Sequence, residues 1–201
     1  MKMRMLAQSI CATAVLSLLS ISASAQSTVT AYAGATDVTL SSTFTSALTA
    51  LSVKVGQVNP TMVSGGVVSF PIVTGVIDRD TAMGNLIHSG GLTFEGGSTT
   101  VRLQDFIIDT TGSMPMITGV AVVDNKVVGR LPLFDLTLPS GFSVPLKTHG
   151  NTLALMGVKV TLDAKAAAAL NKVYGVSQFT AGLSIGTANV TAYVSSADWT
   201  Y

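Results

Sequence analysis

The chemistry most readily suggested by this sequence is that of a serine hydrolase. The run Gly182-Leu183-Ser184-Ile185-Gly186 has the G-x-S-x-G spacing of a nucleophile elbow, which needs a strand before the serine and a helix after it. The residues that follow, from Thr187 to Tyr193, have the pattern of a strand, and both histidines, His88 and His149, precede Ser184 instead of following it. We therefore interpret the motif as a glycine-bounded turn and predict no catalytic serine.

The carboxylates also fall short of a recognisable site. Asp78-Arg79-Asp80 followed by Gly84 resembles the start of a calcium loop, but the further ligands of that pattern are missing, and Glu95 is the only glutamate. Asp105 and Asp109 would serve acid/base cleavage of a sugar only if they faced each other across a cleft. The sequence gives no sign of that arrangement, so we predict no catalytic residues and no metal site.

The two histidines differ in their sequence context. His149 lies in a polar turn, where we expect it to be exposed, whereas His88 ends an apolar strand and precedes Ser89-Gly90-Gly91. A neutral imidazole offers one donor and one acceptor, so His88 is the candidate ligand-binding residue. Structural hydrogen bonding at the end of a strand is the alternative interpretation.

Strand patterns dominate the elements that must position these residues. Short alternating or apolar segments separated by Gly, Ser and Asp-Asn turns are found at residues 67–73, 86–94, 101–108, 120–128, 134–138 and 187–194. The alternation slips at Asp105, which predicts a bulge, and Pro71 predicts an edge position or a bulge because proline lacks the N–H of a ladder. The class predicted is mostly β, an antiparallel β-sandwich or open barrel with two short capping helices.

The helical signals lie at Ser42 to Leu51 and at Ala164 to Val173, with Asp163 placed to cap the second. The segments that contain them, residues 38–51 and 160–173, align without gaps, each as strand, cap and helix. We interpret them as a duplicated strand–helix element, with chance similarity between Ala- and Val-rich segments as the alternative.

The start of the chain has the layout of an export signal. Lys2 and Arg4 precede an apolar run from Ile10 to Ile21, and Ala23-Ser24-Ala25 gives the small residues of a peptidase site. The run is shorter than the roughly 20 apolar residues of a transmembrane helix. We predict cleavage near Ala25, export to the periplasm, cell surface or medium, and no integral membrane segment afterwards.

The predicted divisions are a signal peptide at 1–25, a flexible leader at 26–36, a single β-sandwich domain at 37–196 and a tail at 197–201.

Composition limits the possible functions further. The only cysteine, Cys11, would leave with the signal, so no disulfide is expected. Nine basic residues would then face ten acidic ones, which gives no basic surplus for nucleic acid. Only 10% of residues are charged, and the mean hydropathy is +0.55, which is high for an exported soluble chain.

The middle of the chain resembles HtaA-type domains, the secreted β-sandwich modules of actinobacterial haem uptake. The resemblance is carried by Gly75-Val76-Ile77-Asp78, by Gly84 to Phe94, which includes His88, and by Val101 to Asp109. It implies a β-sandwich fold and haem as ligand. It also implies that a tyrosine near the start of the domain ligates the iron and that a histidine, here His88, supports it.

The tyrosine of that family has no counterpart by position in this sequence. The early helix carries Phe44, Tyr32 lies upstream of it, and Tyr174 belongs to the second helix. From the residues we therefore predict no cofactor and no enzymatic activity, but an exported binding or structural module with an unidentified partner. A haem or porphyrin carrier using His88 is the alternative.

Overall fold

The computed structural model describes residues 27–195. The predicted signal peptide at 1–25 and tail at 197–201 lie outside these residues. The twelve strands are β1 (Thr28–Leu40), β2 (Lys54–Val58), β3 (Met62–Ser64), β4 (Val67–Asp78), β5 (Gly84–His88), β6 (Gly91–Gly96), β7 (Thr99–Asp109), β8 (Met116–Val123), β9 (Lys126–Thr137), β10 (Thr148–His149), β11 (Thr152–Leu162) and β12 (Ser184–Ser195). The two helices are α1 (Ser42–Ala50) and α2 (Ala164–Tyr174).

Eight of these strands close into an antiparallel barrel. Their order is β7-β5-β4-β1-β12-β11-β9-β8, and the pairing of β7 with β8 closes the ring. Closure removes the unpaired edges that an open sheet would expose. The predicted mostly-β, antiparallel class with two short helices is confirmed, and a closed barrel with additional strands is the form that it takes.

Four additional strands extend the ring at three places, β3 beside β4, β10 beside β11, and β6 with β2 beside β7. β6 pairs with the first half of β7 and β5 with its second half, while β2 pairs with β6. β7 is bulged where its partner changes from β6 to β5, and Asp105 has φ +53° there. The predicted bulge at Asp105 is therefore confirmed. Pro71 lies where the partner of β4 changes from β3 to β5, one residue from a register shift, so its missing N–H breaks no ladder.

The helices begin where the sequence predicts. The Ser41 side chain accepts a hydrogen bond from the backbone N–H of Phe44, and that of Asp163 accepts from the N–H groups of Lys165 and Ala166. These caps satisfy amides that have no partner inside the helix. Neither α1 nor α2, the two helices within residues 27–195, is long and apolar enough to cross a membrane.

The flexible leader predicted at residues 26–36 is wrong from Thr28 onward. β1 begins at Thr28 and pairs with both β4 and β12, and Val29 and Ala31 are buried in the core. The segment was misread because threonines and alanines make up most of it, so its alternation between buried and exposed positions has little hydrophobic contrast.

The two strand–helix units occupy equivalent places in the barrel. β1 and β11 flank β12, both antiparallel to it, so they run parallel to each other and end beside the start of β12. Helices α1 and α2 therefore begin at the same end of the barrel. The start of β12 lies beside both units, since the N–H of the cap residue Ser41 donates to the Ile185 carbonyl and the N–H of Leu162, the last residue of β11, donates to the Leu183 carbonyl. The N–H of the α2 cap, Asp163, donates to the Leu133 carbonyl of β9.

Candidate functional site

His88 lies in the wall of the barrel at the point where β5 ends and β6 begins. Gly90 and Gly91, which follow shortly after His88, pack so closely against neighbouring atoms that a larger residue would not fit at either position. Gly90 has φ +85°, and a Cβ there would lie 2.3 Å from the Thr61 hydroxyl, while a Cβ on Gly91 would lie 2.1 Å from the Leu103 carbonyl oxygen. The buried Thr61 hydroxyl accepts the Gly91 N–H at 2.8 Å. The His-Ser-Gly-Gly sequence is therefore the tight connection between β5 and β6, and it needs glycine at its last two positions.

The His88 ring is enclosed and hydrogen-bonded inside the protein. Its side chain is 3% exposed, and its Nε2 lies 2.8 Å from the hydroxyl of Thr36, itself 3% exposed on β1. Its Nδ1 has no well-aligned hydrogen-bond partner among the described residues. Burial lowers the pKa of His88 from 6.5 to about 4, and the nearby backbone of Phe106 and Leu86 opposes this only weakly. The imidazole is therefore neutral at physiological pH.

A small apolar cavity of about 60 Å³ lies beside His88 in the barrel interior. Phe70 and Phe106 form an edge-to-face pair in its wall, with ring centroids 5.1 Å apart. The remaining walls are aliphatic or aromatic, and His88 and Thr36 are the only polar residues that line it.

A second cavity of about 100 Å³ lies under α2, and the two cavities share five lining residues, Phe44, Phe94, Leu103, Phe134 and Ile185. Helix α2 contributes Leu170, Val173 and Tyr174 to its wall. The Tyr174 hydroxyl donates to the Phe94 carbonyl at 2.9 Å, and burial, with the negative charge of Asp124, raises the pKa of Tyr174 to about 12. Tyr174 is therefore uncharged at neutral pH, and its hydrogen bond fixes the side chain in the wall of the larger cavity.

The structure does not assemble the nucleophile elbow. Ser184 is the first residue of β12, so a strand follows it and no helix does. His149 is exposed on β10 near the far end of β12, and His88 is enclosed beside Thr36. Ser184 instead offers its carbonyl oxygen to the hydroxyl of Ser41. The motif is a structural turn, as the sequence predicts.

The acidic candidates serve local turns. The Asp78 carboxylate accepts the hydroxyl of Ser27 and the backbone N–H groups of Asp80 and Thr81, and these hydrogen bonds, the one from Ser27 foremost, lower its pKa. Within residues 27–195, no three His, Cys, Asp or Glu side chains come together as a metal-binding group.

Asp105 and Asp109 also have local partners. Asp105 lies in the β7 bulge and accepts the side-chain amide of Gln104, while Asp109 ends the same strand and accepts the hydroxyl and N–H of Thr111. Because both belong to one strand, they do not face each other across a cleft. They are not arranged for acid/base catalysis.

The structure is similar to solved structures of HtaA domains, all at low sequence identity. It matches the C-terminal domain of HtaA from Corynebacterium glutamicum with a TM-score of 0.65 at 13% identity, covering 83% of this chain and 99% of that one. The N-terminal domain of HtaA from the same organism matches with a TM-score of 0.59 at 14% identity, with coverages of 83% and 99%. The heme-binding protein HtaB of that organism matches at 0.56 and 11%, with coverages of 84% and 95%. The chain has an HtaA-type fold. No protein-family model and no curated protein matches the sequence significantly.

Within residues 27–195, the implied pair of a tyrosine supported by His88 is not assembled. The Nε2 of His88 is bonded to Thr36, where the resemblance implies that a tyrosine would be supported. The Tyr174 hydroxyl donates its hydrogen bond to the Phe94 carbonyl, and Tyr32 and Tyr193 are exposed. A cavity of about 60 Å³ is also far below the several hundred Å³ typical of ligand pockets, so the residues around His88 do not fit haem as they are placed.

Sequence reasoning identified His88 but missed its partner and both cavities. Thr36 was overlooked because it lies in the part of β1 that was assigned to the leader. The glycine pair after His88 was the available signal for close packing, and the alanines of α2 were the signal for space beneath that helix.

Proposed function

We propose that this chain is an exported, non-enzymatic binding module that takes small apolar molecules into its barrel. The main support is the pair of adjacent apolar cavities at the end of the barrel where the helices begin. Support for export comes from the layout of residues 1–25. Support for a non-enzymatic role comes from the candidate nucleophile and acids, each of which is used in local structure.

The size of the cavities restricts the ligand. An apolar cavity of about 150 Å³ stays dry and takes up benzene or xenon, so cavities of about 60 and 100 Å³ suit slimmer groups. An alkyl chain has the required cross-section. A macrocycle or a fused ring does not.

Xenon and octan-1-ol, observed by methyl NMR on the processed protein, test the binding role. We expect concentration-dependent shifts of the Val128, Leu170 and Val173 methyl signals, because these side chains line the larger cavity. The Val76 methyl signals should stay in place, since Val76 is exposed and lines neither cavity. Absence of any shift with both probes would sink the interior-binding proposal.

Export is tested separately, by expressing the full chain in a bacterium and sequencing the N-terminus of the extracytoplasmic fraction. We expect the processed chain to begin at Gln26. Substitution Ala25→Asp should leave the unprocessed chain associated with the cell, because peptidase sites need small residues at this position. Intact wild type in the cytoplasm would contradict export, and processed protein from that variant would contradict cleavage after Ala25.

Haem carriage is the second candidate, favoured by the similarity in fold to the heme-binding protein HtaB. The enclosed His88 counts against it. If haem carriage is correct, adding haem to the processed protein will shift the Soret band, and His88→Ala will weaken that shift. We expect no difference between wild type and His88→Ala, with His149→Ala as the control for adventitious binding through an exposed histidine.

A further inference from the structure

The larger cavity reaches the surface between α2 and the β8–β9 hairpin. Val128 and Ala169 both line the cavity and are both exposed, Val128 by 57%. Val128 is the unpaired residue of a bulge, since Gly129 pairs with Ala121 and Val127 with Val122. The bulge turns Val128 towards the cavity, so Val128 and Ala169 mark its mouth.

Lysines flank this mouth on both sides. On α2, Lys165 lies four residues before Ala169 and Lys172 three residues after it, so all three share one face of the helix, and both lysines are exposed. On the hairpin, Lys126 pairs directly with Val123, and paired residues project from the same face of a sheet. Because Val123 lines the cavity, exposed Lys126 leaves the hairpin on the cavity side.

Two acidic groups near the mouth, Asp124 and Asp163, accept backbone hydrogen bonds, and a third, Asp135, lies close enough to Asp163 for their charges to interact. Asp124 at the hairpin tip accepts the Thr100 N–H at 2.8 Å, and Asp163 caps α2 through the N–H groups of Lys165 and Ala166. An apolar pocket with a cationic rim is complementary to a molecule with an alkyl end and an anionic head.

We propose that this mouth binds a free fatty acid, with the end of the alkyl chain in the cavity and the carboxylate among Lys126, Lys165 and Lys172. The assignment rests on the proposed binding function and names its ligand class. A single chain end suits the site better than a membrane surface, because the lining residues other than Val128 and Ala169 are buried or half-buried.

The test compares three probes with the same chain length, octanoate, octan-1-ol and octyltrimethylammonium, by calorimetry and methyl NMR on the processed protein. We expect octanoate to bind about tenfold more tightly than the other two, and to shift the Val128 and Ala169 methyl signals. Equal affinity for octanoate and octan-1-ol would overturn the fatty-acid assignment and leave the interior-binding function standing. No binding of any of the three probes would overturn both.

Two variants test where the carboxylate and the alkyl chain of octanoate bind. Lys165→Glu with Lys172→Glu should weaken octanoate binding about tenfold and leave octan-1-ol binding unchanged. The control, Lys147→Glu with Lys159→Glu, changes the net charge equally at exposed positions away from the mouth and should have no effect. Ala169→Phe should abolish binding of both probes by filling the mouth, with folding checked by circular dichroism.

The opposite results exclude the site. Octanoate affinity that survives Ala169→Phe, or that falls equally in both lysine pairs, would place the fatty acid elsewhere. Sedimentation with anionic phosphatidylglycerol vesicles provides a further arm: vesicle binding that is lost in Lys165→Glu with Lys172→Glu, without monomeric octanoate binding, would replace the fatty acid with a membrane surface.

Discussion

The two strand–helix units have the same frame but different interiors. With the residues of the first unit aligned to those of the second, Thr36 corresponds to Val158 and Phe44 to Ala166, and all four side chains are buried. Phe44 packs against Phe94 with ring centroids 6.3 Å apart and lines both cavities, whereas Ala166 lines only the larger one, of about 100 Å³ under α2. Equivalent backbone positions therefore carry side chains of different size against the same apolar interior.

The substitution Phe44→Ala gives the first unit the alanine of the second and should have the largest effect. We expect the free energy of unfolding to fall by about 3–5 kcal/mol, because a buried ring is lost and its space is only partly refilled. Urea unfolding followed by circular dichroism measures this change. Ser46→Ala, on the exposed side of the same helix, should change stability little. A loss below about 1 kcal/mol for Phe44→Ala would mean that α1 does not close the barrel.

Acid should destabilise the protein through His88, the β5 residue whose ring is hydrogen-bonded to Thr36 of the first unit. Its pKa is about 4 in the folded chain, below the 6.5 of an exposed histidine, so the unfolded chain binds a proton in this interval and the folded chain does not. The stabilisation is complete above pH 6.5 and is lost as the pH falls to 4, by roughly 3 kcal/mol.

Urea unfolding at several pH values between 4 and 7 measures this dependence. His88→Gln should flatten the curve while leaving a neutral hydrogen-bonding group near Thr36. His149→Gln, at an exposed position, should leave the curve unchanged. A wild-type curve that is already flat would show that His88 is not enclosed as described.

The substitution Thr36→Val gives the first unit the valine of the second and should have an intermediate effect. It removes the hydroxyl that pairs with the Nε2 of His88 and leaves a buried polar atom unsatisfied, at a cost of about 1–3 kcal/mol. Thr36→Ser keeps the hydroxyl and is the matched control, measured by the same unfolding assay. An equal loss for both variants would assign the effect to packing and not to the hydrogen bond.

The smallest effects are expected at the two helix caps. Ser41→Ala and Asp163→Ala should each cost about 1 kcal/mol, because each leaves helix-terminal amides without a partner. Asp163→Asn should cost only a few tenths, since an asparagine also caps. Thermal unfolding by calorimetry resolves these differences. A large loss in Asp163→Asn would show that the charge matters more than the hydrogen bonds.

Sequence patterns predicted the secondary structure better than the contacts between distant strands in the interior. The caps at Ser41 and Asp163 and the bulge at Asp105 follow from local chemistry, so they could be read from neighbouring residues. The contact between Thr36 and His88 joins strands that are far apart in sequence, and no local pattern encodes it. The leader was misassigned for a related reason, because small residues such as Ala31 show their burial only once the facing strands are in place.

The position of β12 between β1 and β11 has a consequence for how the chain matures. During synthesis, β1 emerges from the ribosome long before β12, the strand that joins it to β11, and until then one edge of β1 has unpaired amides and carbonyls. The ring can therefore be completed only after β12, at Ser184–Ser195, has been made. Such non-local pairing slows folding, so the barrel is expected to stay open until β12 has been made.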